Sequence, residues 1–417
     1  MRILLLPAYF YPEQAASSYL GDNIRQAMCE AGCDLELYAP MPTRGVSPQV
    51  RKEYKKCRFE CWHNGKLKIH RFSMFREGKN PLLRALRYFL VSSIQFFKGI
   101  TTRDIDLIYV ASTPPTQGAL AALVKKIKKV PFVYNLQDIF PDSLAGTGLA
   151  KRGGLLWKIG RVIEGFTYRN ADKIIVISED FKKNIMAKGV PEEKIAVVYN
   201  WVDEDAVKHI PRDENILFDR YGLDRSKFYI TYCGNIGLTQ NMDLLLEVAK
   251  ELESEQDIRF VFIGEGAYKA KVQEIIKEKQ INNVALLPFQ PYEEISHVFS
   301  LGDVGLVISK PGVGENSVPS KTWSILSASR PVLANFDENE LKQIVDKHKC
   351  GYFTKAGDKV AFKAAILDLY RNRVQCREMG ENGRRFILEN LTRAVGTQKY
   401  VDVIKMFEKG DNNNDFL

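Results

Sequence analysis

Short runs of apolar, β-branched residues alternate along the whole chain with longer segments of helical periodicity. In the first half, these runs predict strands at 2–6, 34–38, 106–111, 131–135, 173–177 and 195–199. In the second half, they predict strands at 228–233, 259–263, 284–287, 304–308 and 331–334. Buried strands that alternate with helices are typical of a parallel sheet covered on both faces. The pattern therefore predicts an α/β protein with two doubly wound, Rossmann-like domains in tandem.

The rhythm of strands and helices is interrupted once, by polar and irregular sequence around residues 199–213. We therefore predict one domain at 1–200 and a second domain at 201–385. A helical segment follows at 382–408 and leads into a polar tail, so residues 386–417 are predicted to cross back to the first domain. Parallel sheets bind ligands at the carboxyl ends of their strands. We expect the site in a cleft that the two domains face.

The composition is that of an ordinary globular protein, with 45% hydrophobic and 27% charged residues among 417. Seven scattered cysteines do not form a secreted disulfide framework and predict a cytoplasmic protein. Cys57, Cys61 and His63 loosely suggest zinc, but a tetrahedral site needs a fourth ligand that no suitably spaced pair supplies. Pro7 and Pro12 interrupt the apolar N-terminus, which predicts a buried strand rather than a signal peptide. No apolar run is long enough to cross a bilayer.

Basic charge is concentrated in the first half of the chain. Residues 1–200 carry 31 Lys and Arg against 18 Asp and Glu, whereas residues 201–417 carry 29 against 33. Residues 51–100 alone hold 13 basic and 3 acidic side chains. This imbalance predicts an acidic ligand or an acidic surface as the partner. No nucleic-acid-binding motif accompanies the charge, so nucleic acid is not expected as a partner.

The segment 79–99 has amphipathic helical periodicity inside this basic region. Its apolar positions are 82, 83, 86, 89, 90, 94 and 97, accompanied by the basic residues Lys79, Arg84, Arg87 and Lys98. Such a stripe either faces the protein core or lies on an anionic bilayer. We hypothesise that the basic segment docks the protein peripherally on the inner face of the plasma membrane.

Two glycine-rich loops follow neighbouring predicted strands in the second half. Gly234, Asn235 and Gly237 come directly after one strand, and Gly264 and Gly266 come after the next. Loops of this kind let backbone N–H groups approach a phosphate, although each is also compatible with a simple tight turn. Neither loop matches the dinucleotide or P-loop pattern in full. Together, the two loops predict a nucleotide site.

Lys321 stands in the first turn of a predicted helix, directly after Val318-Pro-Ser. A positive charge at this position opposes the helix dipole. Pairing with a diphosphate explains a lysine here, and a solvated surface lysine is the alternative.

Three ordered segments of the second half resemble the C-terminal half of group 1 glycosyltransferases (glycosyltransferase family 4): FIGEGAYK, LPFQPYEEISHVFSLGDVGLVIS and VPSKTWSILSASRPVLA. The first half is similar as well, in YFYPEQAASS, NLQDIFPDSL and ADKIIVIS. The resemblance covers nearly the whole chain and is strongest toward bacterial enzymes that build O-antigen, capsule or colanic-type polysaccharides. It implies the GT-B fold, with an N-terminal acceptor-binding domain at 1–200 and a C-terminal nucleotide-sugar donor domain at 201–385.

The resemblance also implies roles for the residues of the second half. The donor nucleotide and its diphosphate would be bound by the two glycine loops and by an aromatic residue near the base: Gly234, Asn235, Gly237, Gly264, Gly266 and Phe289. Lys321 would neutralise the charge that develops on the departing diphosphate, which is electrostatic stabilisation of the transition state.

The chain departs from the family where two glutamates separated by seven residues are usual. Ser324 stands at the second of these positions and is assigned to the ribose. Asn316 stands at the first, and Glu315 lies one residue away, so either is a candidate for sugar recognition and Glu315 for catalysis. Ser317 belongs to the same variable loop, which is expected to bind the donor sugar.

On the acceptor side, Asp138 within QDIFPD is a catalytic candidate that orients hydroxyl groups, and capping of the following turn is its alternative role. Gln137 stands where many relatives have a histidine. Glu13 is a candidate base for the acceptor hydroxyl. Small residues at 15–18, among them Ser17, replace the paired glycines of the family and still permit close approach to a phosphate.

The predicted function is that of a retaining glycosyltransferase of cell-surface polysaccharide synthesis. It would move a sugar from a nucleotide diphosphate, UDP above all, to a polyprenyl-diphosphate-linked sugar, and retention is implied by the family alone. No cofactor or metal is expected, because Lys321 and helix N-termini take the role of a cation. Two other functions stay open: a UDP-sugar 2-epimerase of the same fold and a non-catalytic nucleotide-sugar-binding module.

Overall fold

A computed structural model describes residues 1–13, 18–78, 80–143, 151, 153–314 and 318–408. Five residues named above lie outside these described ranges, namely Ser17, Lys79, Glu315, Asn316 and Ser317. The chain divides into two compact units, one formed by 1–199 with 397–417 and the other by 200–396.

The first unit is built on an eight-stranded sheet with the order β3-β4-β2-β1-β5-β6-β7-β8. Its strands are β1 (Arg2–Leu5), β2 (Asp34–Pro40), β3 (Phe59–Trp62), β4 (Leu67–Phe72), β5 (Leu107–Ala111), β6 (Phe132–Leu136), β7 (Lys173–Val176) and β8 (Ile195–Val197). Its helices are α1 (Ser18–Glu30), α2 (Pro48–Tyr54), α3 (Pro81–Thr101), α4 (Thr116–Lys128), α5 (Leu155–Asn170) and α6 (Glu179–Ala187). All neighbouring strands are parallel except β3, which pairs with β4 in antiparallel orientation.

The second unit is built on a six-stranded parallel sheet with the order β11-β10-β9-β12-β13-β14. Its strands are β9 (Phe228–Cys233), β10 (Ile258–Ile263), β11 (Val284–Leu287), β12 (Val304–Ile308), β13 (Val332–Phe336) and β14 (Gly351–Lys355). Its helices are α7 (Ile216–Arg220), α8 (Met242–Glu251), α9 (Lys269–Glu278), α10 (Ile295–Ser300), α11 (Lys321–Ser327), α12 (Glu340–His348), α13 (Lys359–Arg371) and α14 (Arg373–Asn390). A last helix, α15 (Arg393–Lys405), leads into the segment that belongs to the first unit.

The central strands of both sheets are fully buried, as their apolar runs predict. Every residue of β6, β9, β12 and β13 is buried. Because the order of strands reverses beside β1 and beside β9, the loops after these two strands lie at the topological switch point of each sheet. The fold therefore directs attention to the loops that follow β1 and β9.

The C-terminal helix differs from its prediction. The segment 382–408 is interrupted at Leu391 and Thr392, so that α14 and α15 are separate helices. The Thr392 hydroxyl accepts a hydrogen bond from the Val395 amide over 3.2 Å and caps α15. The signal for the break was a capping residue inside a continuous helical pattern.

Helix α3 is oriented with its apolar stripe toward solvent. Its exposed residues are Leu82, Leu83, Leu86, Phe89, Leu90 and Phe97. The prediction that Arg87 adds to a basic surface is wrong, because Arg87 is completely buried and donates to the Ala8 carbonyl over 3.2 Å. Gln95 is buried as well and donates to the carbonyl of Pro7 over 2.8 Å. The loop after β1 offers carbonyl groups that need donors, and the polar face of α3 supplies them.

Among the described residues, no helix combines the length and the apolar character that crossing a bilayer requires.

Candidate functional site

The two glycine loops of the second unit interlock at the carboxyl ends of β9 and β10. Gly264 has a φ of +150°, and a Cβ atom there would lie 1.9 Å from the carbonyl oxygen of Gly234. A Cβ atom on Gly266 would lie 2.2 Å from the carbonyl oxygen of Ile236. Two hydrogen bonds join the loops, from the Ile236 amide to the Glu265 carbonyl (2.8 Å) and from the Tyr268 amide back to Ile236 (3.0 Å). Glycine is therefore required at both positions for close backbone approach.

Most amides of the first glycine loop already donate hydrogen bonds within the protein. The Gly234 amide donates to Ile263 over 2.9 Å, the Ile236 amide to Glu265, and the Gly237 amide to the Gln240 side chain over 3.0 Å. A phosphate at Gly237 thus has to replace Gln240. At the carboxyl edge of the sheet, the loop therefore offers close backbone approach more than free donors.

Lys321 is the cationic group at this edge. It is the first residue of α11, is half-buried, and its ammonium lies beside Gly234, where a Cβ atom would approach Nζ to 3.4 Å. Nζ donates to the Tyr232 hydroxyl over 2.8 Å and lies 3.9 Å from the centre of the Tyr232 ring. Burial lowers the pKa of Lys321 to about 8. Within the described part of the chain, no carboxylate forms an ion pair with this ammonium.

Tyr232 connects Lys321 to the first glycine loop. Its hydroxyl, which accepts from Lys321, donates in turn to the Asn235 carbonyl over 2.6 Å. Burial raises the pKa of Tyr232 well above the usual value for a phenol, so the residue is neutral. A neutral partner leaves the positive charge of Lys321 uncompensated, and this is the electrostatic character required for binding an anion.

The other predicted donor residues lie around this edge with fewer contacts. Ser324 is half-buried in α11, one helical turn after Lys321. Phe289 follows β11 and is 71% exposed, so its ring is available for stacking. Asn235 is exposed beside Gly234.

Asp337 and Asn339 hold the loop that precedes the undescribed segment 315–317, and the sequence analysis missed both. The Asp337 carboxylate accepts hydrogen bonds from the amides of Gly312 (2.9 Å) and Gly314 (2.7 Å). The Asn339 side chain donates to the Gly314 carbonyl over 2.8 Å. An aspartate directly after β13, at the carboxyl edge of the sheet, was the available signal.

The first unit contains a cavity of about 450 Å³ at the carboxyl ends of β1, β5 and β6. Two of the predicted acceptor-side residues, Glu13 and Gln137, line it together, and Ser17 lies outside the described residues. The guanidinium groups of Arg25 and Arg44 line the same cavity. Arg25 pairs with Asp22, whereas Arg44 is exposed and lies over the Tyr9 ring.

The Glu13 carboxylate is fixed by one oxygen and unpartnered at the other. Oε1 accepts hydrogen bonds from the amides of Thr43 (2.5 Å) and Arg44 (2.6 Å). Oε2 is buried and has no hydrogen-bond partner among the residues that the structure describes. A buried, unpartnered carboxylate oxygen in the wall of a cavity is suited to accept a hydrogen bond from a ligand hydroxyl.

A buried polar network lies beneath this cavity. Asn135 accepts hydrogen bonds at Oδ1 from Gln137 (2.8 Å) and from the Tyr400 hydroxyl (3.0 Å), and its amide donates to the Tyr109 hydroxyl over 2.9 Å. Tyr400 comes from α15, so the last helix contributes to the first unit, as the sequence analysis predicted, although Tyr400 itself was not singled out. The network holds Gln137 in one orientation.

Asp138 is exposed and does not line the cavity in the part of the chain that the structure describes. Its carboxylate accepts a hydrogen bond from the Ser143 hydroxyl over 3.0 Å. This contact corresponds to the alternative role, stabilisation of the following turn.

No cluster of three or more His, Cys, Asp or Glu side chains suited to a metal ion occurs among the described residues. Cys57 and Cys61 are free thiols, and both lie in the segment at the β3 edge of the first sheet.

Each half of the chain matches the model of a known glycosyltransferase domain. Residues 21–201 match the model described as a glycosyl transferase 4-like domain, and residues 213–386 match the model for glycosyl transferases group 1. Together, the two models cover most of the chain.

Individual relatives agree with this assignment. The probable glycosyltransferase WbjE of Pseudomonas aeruginosa is 23% identical over 407 residues, which are 97% of this chain and 98% of that protein. The putative colanic acid biosynthesis glycosyl transferase WcaI of Escherichia coli is 29% identical over 208 residues, 49% of this chain and 51% of that protein. The crystal structure of Anabaena HepE in complex with UDP aligns with a TM-score of 0.72 at 15% identity, covering 97% of this chain and all of that one. The predicted α/β architecture with two doubly wound units is confirmed.

Proposed function

The chain belongs to the group 1 glycosyltransferases, and from this premise we propose its substrates and its chemistry. The donor is a UDP-sugar, the acceptor is a polyprenyl-diphosphate-linked sugar, and transfer proceeds with retention in bacterial cell-surface polysaccharide synthesis. WbjE and WcaI are both described as glycosyltransferases, and WcaI is described as an enzyme of colanic acid biosynthesis. These two relatives support a role in polysaccharide synthesis. HepE, which binds UDP, supports the choice of nucleotide.

The uncompensated ammonium of Lys321 is the observation that carries the donor assignment. It lies beside Gly234, its hydrogen-bond partner within the described ranges is a neutral phenol, and its pKa is lowered by burial to about 8. A departing UDP develops negative charge on its β-phosphate, and a pre-positioned ammonium in a partly dry site stabilises that charge. The remaining donor contacts are assigned to Asn235, Ser324 and Phe289, with Glu315, Asn316 and Ser317 as further candidates for binding the sugar.

The acceptor is assigned to the cavity of the first unit. Glu13 Oε2 accepts the proton of the attacking hydroxyl as the new bond to the anomeric carbon forms and the bond to the UDP oxygen breaks. Gln137 orients the acceptor, and Arg25 and Arg44 supply the positive charge that an acceptor diphosphate requires. Asp138 stays a candidate for orienting hydroxyl groups.

The reaction is proposed to need neither a cofactor nor a metal, because Lys321 neutralises the leaving group. Addition of a chelator is therefore expected to leave the transfer rate unchanged. Loss of transfer that added Mg²⁺ or Mn²⁺ restores would contradict this proposal.

Peripheral docking on the inner face of the plasma membrane is proposed through α3. The exposed stripe of α3 contains Leu86 and Phe89, and the helix contains no acidic residue. Exposed apolar side chains beside Arg84 and Lys98 suit an anionic interface. Vesicle binding by a Leu86→Ser, Phe89→Ser double variant is expected to be weaker than that of the wild type, and equal binding of the wild type to neutral and anionic vesicles would contradict the proposal.

A transfer assay tests the function directly. Radiolabelled UDP-sugars are incubated with the full-length protein and a polyprenyl-diphosphate-linked sugar, and the lipid product and released UDP are both measured. Formation of labelled lipid with matching UDP release supports transfer. An isomerised UDP-sugar formed without acceptor would favour the 2-epimerase alternative, and UDP-sugar binding without any product would favour a binding module.

A further inference from the structure

Helix α5 presents a second apolar stripe to solvent, apart from the stripe of α3. Its members are Leu155, Leu156, Ile159 and Val162, which are between 49% and 77% exposed. The spacing of one, three and three residues places them on one face of the helix. Four large apolar side chains in one exposed stripe call for a partner surface.

A basic pocket of about 280 Å³ lies toward the C-terminal end of the same helix, against the loop between α6 and β8, and none of the four stripe residues lines it. Four cationic residues line the pocket, namely Arg161, Arg169, Lys188 and Lys194. Tyr168 lines it as well, with its buried hydroxyl beside the Glu164 carboxylate. The pocket shares no lining residue with the cavity that contains Glu13.

The positive charges of this pocket are only partly neutralised. Among the described residues, Glu164 is the one acidic residue that lines it, and it pairs with Lys188 over 2.7 Å and with Arg161. Asp142, outside the lining, also pairs with Lys188 over 2.7 Å, so Lys188 is fully compensated. Arg169 forms no ion pair with a carboxylate of the described chain, and Lys194 donates to the Ala171 carbonyl over 3.1 Å rather than to an acid. A pocket with this surplus of positive charge is suited to a phosphate group.

The same combination of apolar and basic residues continues across the neighbouring helices. Helix α4 packs against both α3 and α5, and it exposes Leu123 and Ile127 beside Lys126. Within α3, α4 and α5, Glu164 is the only acidic residue, and it is buried. Three adjacent helices therefore offer apolar and cationic groups without exposed negative charge, which is the character of an interface with an anionic bilayer.

We propose that this pocket binds the phosphate headgroup of an anionic phospholipid whose acyl chains lie along the exposed stripe of α5. The proposal rests on the membrane docking described under the proposed function and adds a specific lipid site to it. The pocket toward the C-terminal end of α5 is a site distinct from the cavity that contains Glu13.

Binding of the full-length protein to phosphatidylglycerol and phosphatidylcholine vesicles tests the proposal. The variants are Arg169→Ala alone, Arg169→Ala with Lys194→Ala, and Leu155→Ser with Val162→Ser. Loss of two cations near the surface is expected to weaken binding to phosphatidylglycerol vesicles about 30-fold, and loss of one about fivefold. The stripe variant is expected to weaken binding to both kinds of vesicle.

Matched controls lie in the second unit. Val360 is 80% exposed on α13, so Val360→Ser removes an exposed apolar side chain, and Arg371→Ala removes an exposed charge from the same helix. Both controls are expected to bind vesicles as the wild type does. Melting curves recorded by circular dichroism identify any variant that loses its fold. If the double variant is unfolded, the single Arg169→Ala variant still tests the proposal.

The outcomes separate this proposal from the one on which it rests. If the pocket variants bind vesicles as tightly as the wild type does, the lipid site is wrong and membrane docking still stands. No vesicle binding by the wild type would overturn both. Glycerol phosphate in solution could stabilise the wild type but not Arg169→Ala, while the two proteins bind vesicles equally. That result would identify a free phosphate as the ligand and would overturn the assignment to a phospholipid.

Discussion

The ammonium of Lys321 donates a hydrogen bond to the hydroxyl of Tyr232 over 2.8 Å, and Tyr232 is a buried, neutral phenol. A lysine held by a neutral group keeps its whole charge available for a ligand, whereas a salt bridge would offset most of it. The same hydroxyl donates to Asn235, so the position of the cation is coupled to the glycine loop. This arrangement leads to the first prediction.

The affinity for UDP should fall as the pH rises through 8. Lys321 loses its proton near pH 8, and the neutral amine no longer attracts the diphosphate. Between pH 7 and pH 9, calorimetry is expected to show about a tenfold weaker association.

The ligand-free protein should show the opposite trend in stability. The unfolded chain keeps the proton of this lysine up to a pKa near 10.5, so folding releases a proton between pH 8 and that value, and stability rises with pH in this window. A Lys321→Met variant should lack both trends, and a wild-type UDP affinity that is constant from pH 7 to 9 would contradict the assignment.

Substitution of Gly264 by alanine should destabilise the second unit and remove UDP binding. Its Cβ atom would overlap the Gly234 carbonyl at 1.9 Å, so one of the two loops has to move, at a cost of about 3 kcal/mol in urea unfolding. Gly222→Ala is the matched control, because Gly222 also has a positive φ but has no neighbour within 4 Å. It should cost about 1 kcal/mol and leave UDP affinity unchanged. Equal costs for the two variants would argue against the interlocked loops.

Replacement of Glu13 by glutamine should slow transfer without changing donor binding. The amide keeps the shape of the carboxylate and its contacts to Thr43 and Arg44, but it does not accept the acceptor proton. The kcat for transfer is expected to fall at least about 100-fold, while the Kd for UDP stays the same. Glu30→Gln, an exposed position on α1, should behave as the wild type. A Glu13→Gln enzyme with unchanged kcat would remove Glu13 from the mechanism.

Two arginines of α3 should differ sharply in their contribution to stability. Arg87 is completely buried and holds the loop after β1, so Arg87→Ala leaves the Ala8 carbonyl without this donor and opens a cavity under α3. The cost should be about 3 kcal/mol in urea unfolding, although Glu77 keeps its hydrogen bond from the Tyr9 hydroxyl. Arg84 also pairs with Glu77, at 3.3 Å, but is largely exposed, and Arg84→Ala should cost less than about 1 kcal/mol. Similar costs would indicate that α3 does not use its polar face for packing.

The sequence was most informative where a local pattern of residues is compatible with one structure only. Apolar runs such as Phe228–Cys233 are fully buried strands, and glycines directly after them occupy the positions of close backbone approach. Lys321 was identified because its charge opposes the dipole of the helix that it begins. Local chemistry and tertiary structure agree at these positions.

The sequence was least informative where long-range contacts decide the outcome. The periodicity of 79–99 predicts an amphipathic helix correctly, but it does not show which face is buried, and the carbonyls after β1 draw Arg87 and Gln95 inward. The contribution of Tyr400 to the network around Asn135 joins residues 265 positions apart. No local signal in the sequence encodes either relationship.

The most direct test of the account is the binding of UDP to the wild type, to Lys321→Ala and to the surface control Lys277→Ala, measured by calorimetry and thermal shift at pH 7. The wild type and the control are expected to bind UDP and to gain a few degrees in Tm at saturation, because a ligand at about 100 times its Kd adds about 2.7 kcal/mol. Lys321→Ala is expected to keep its fold and to lose this shift. UDP binding of equal affinity in all three proteins would contradict the central claim that Lys321 binds the diphosphate of the donor.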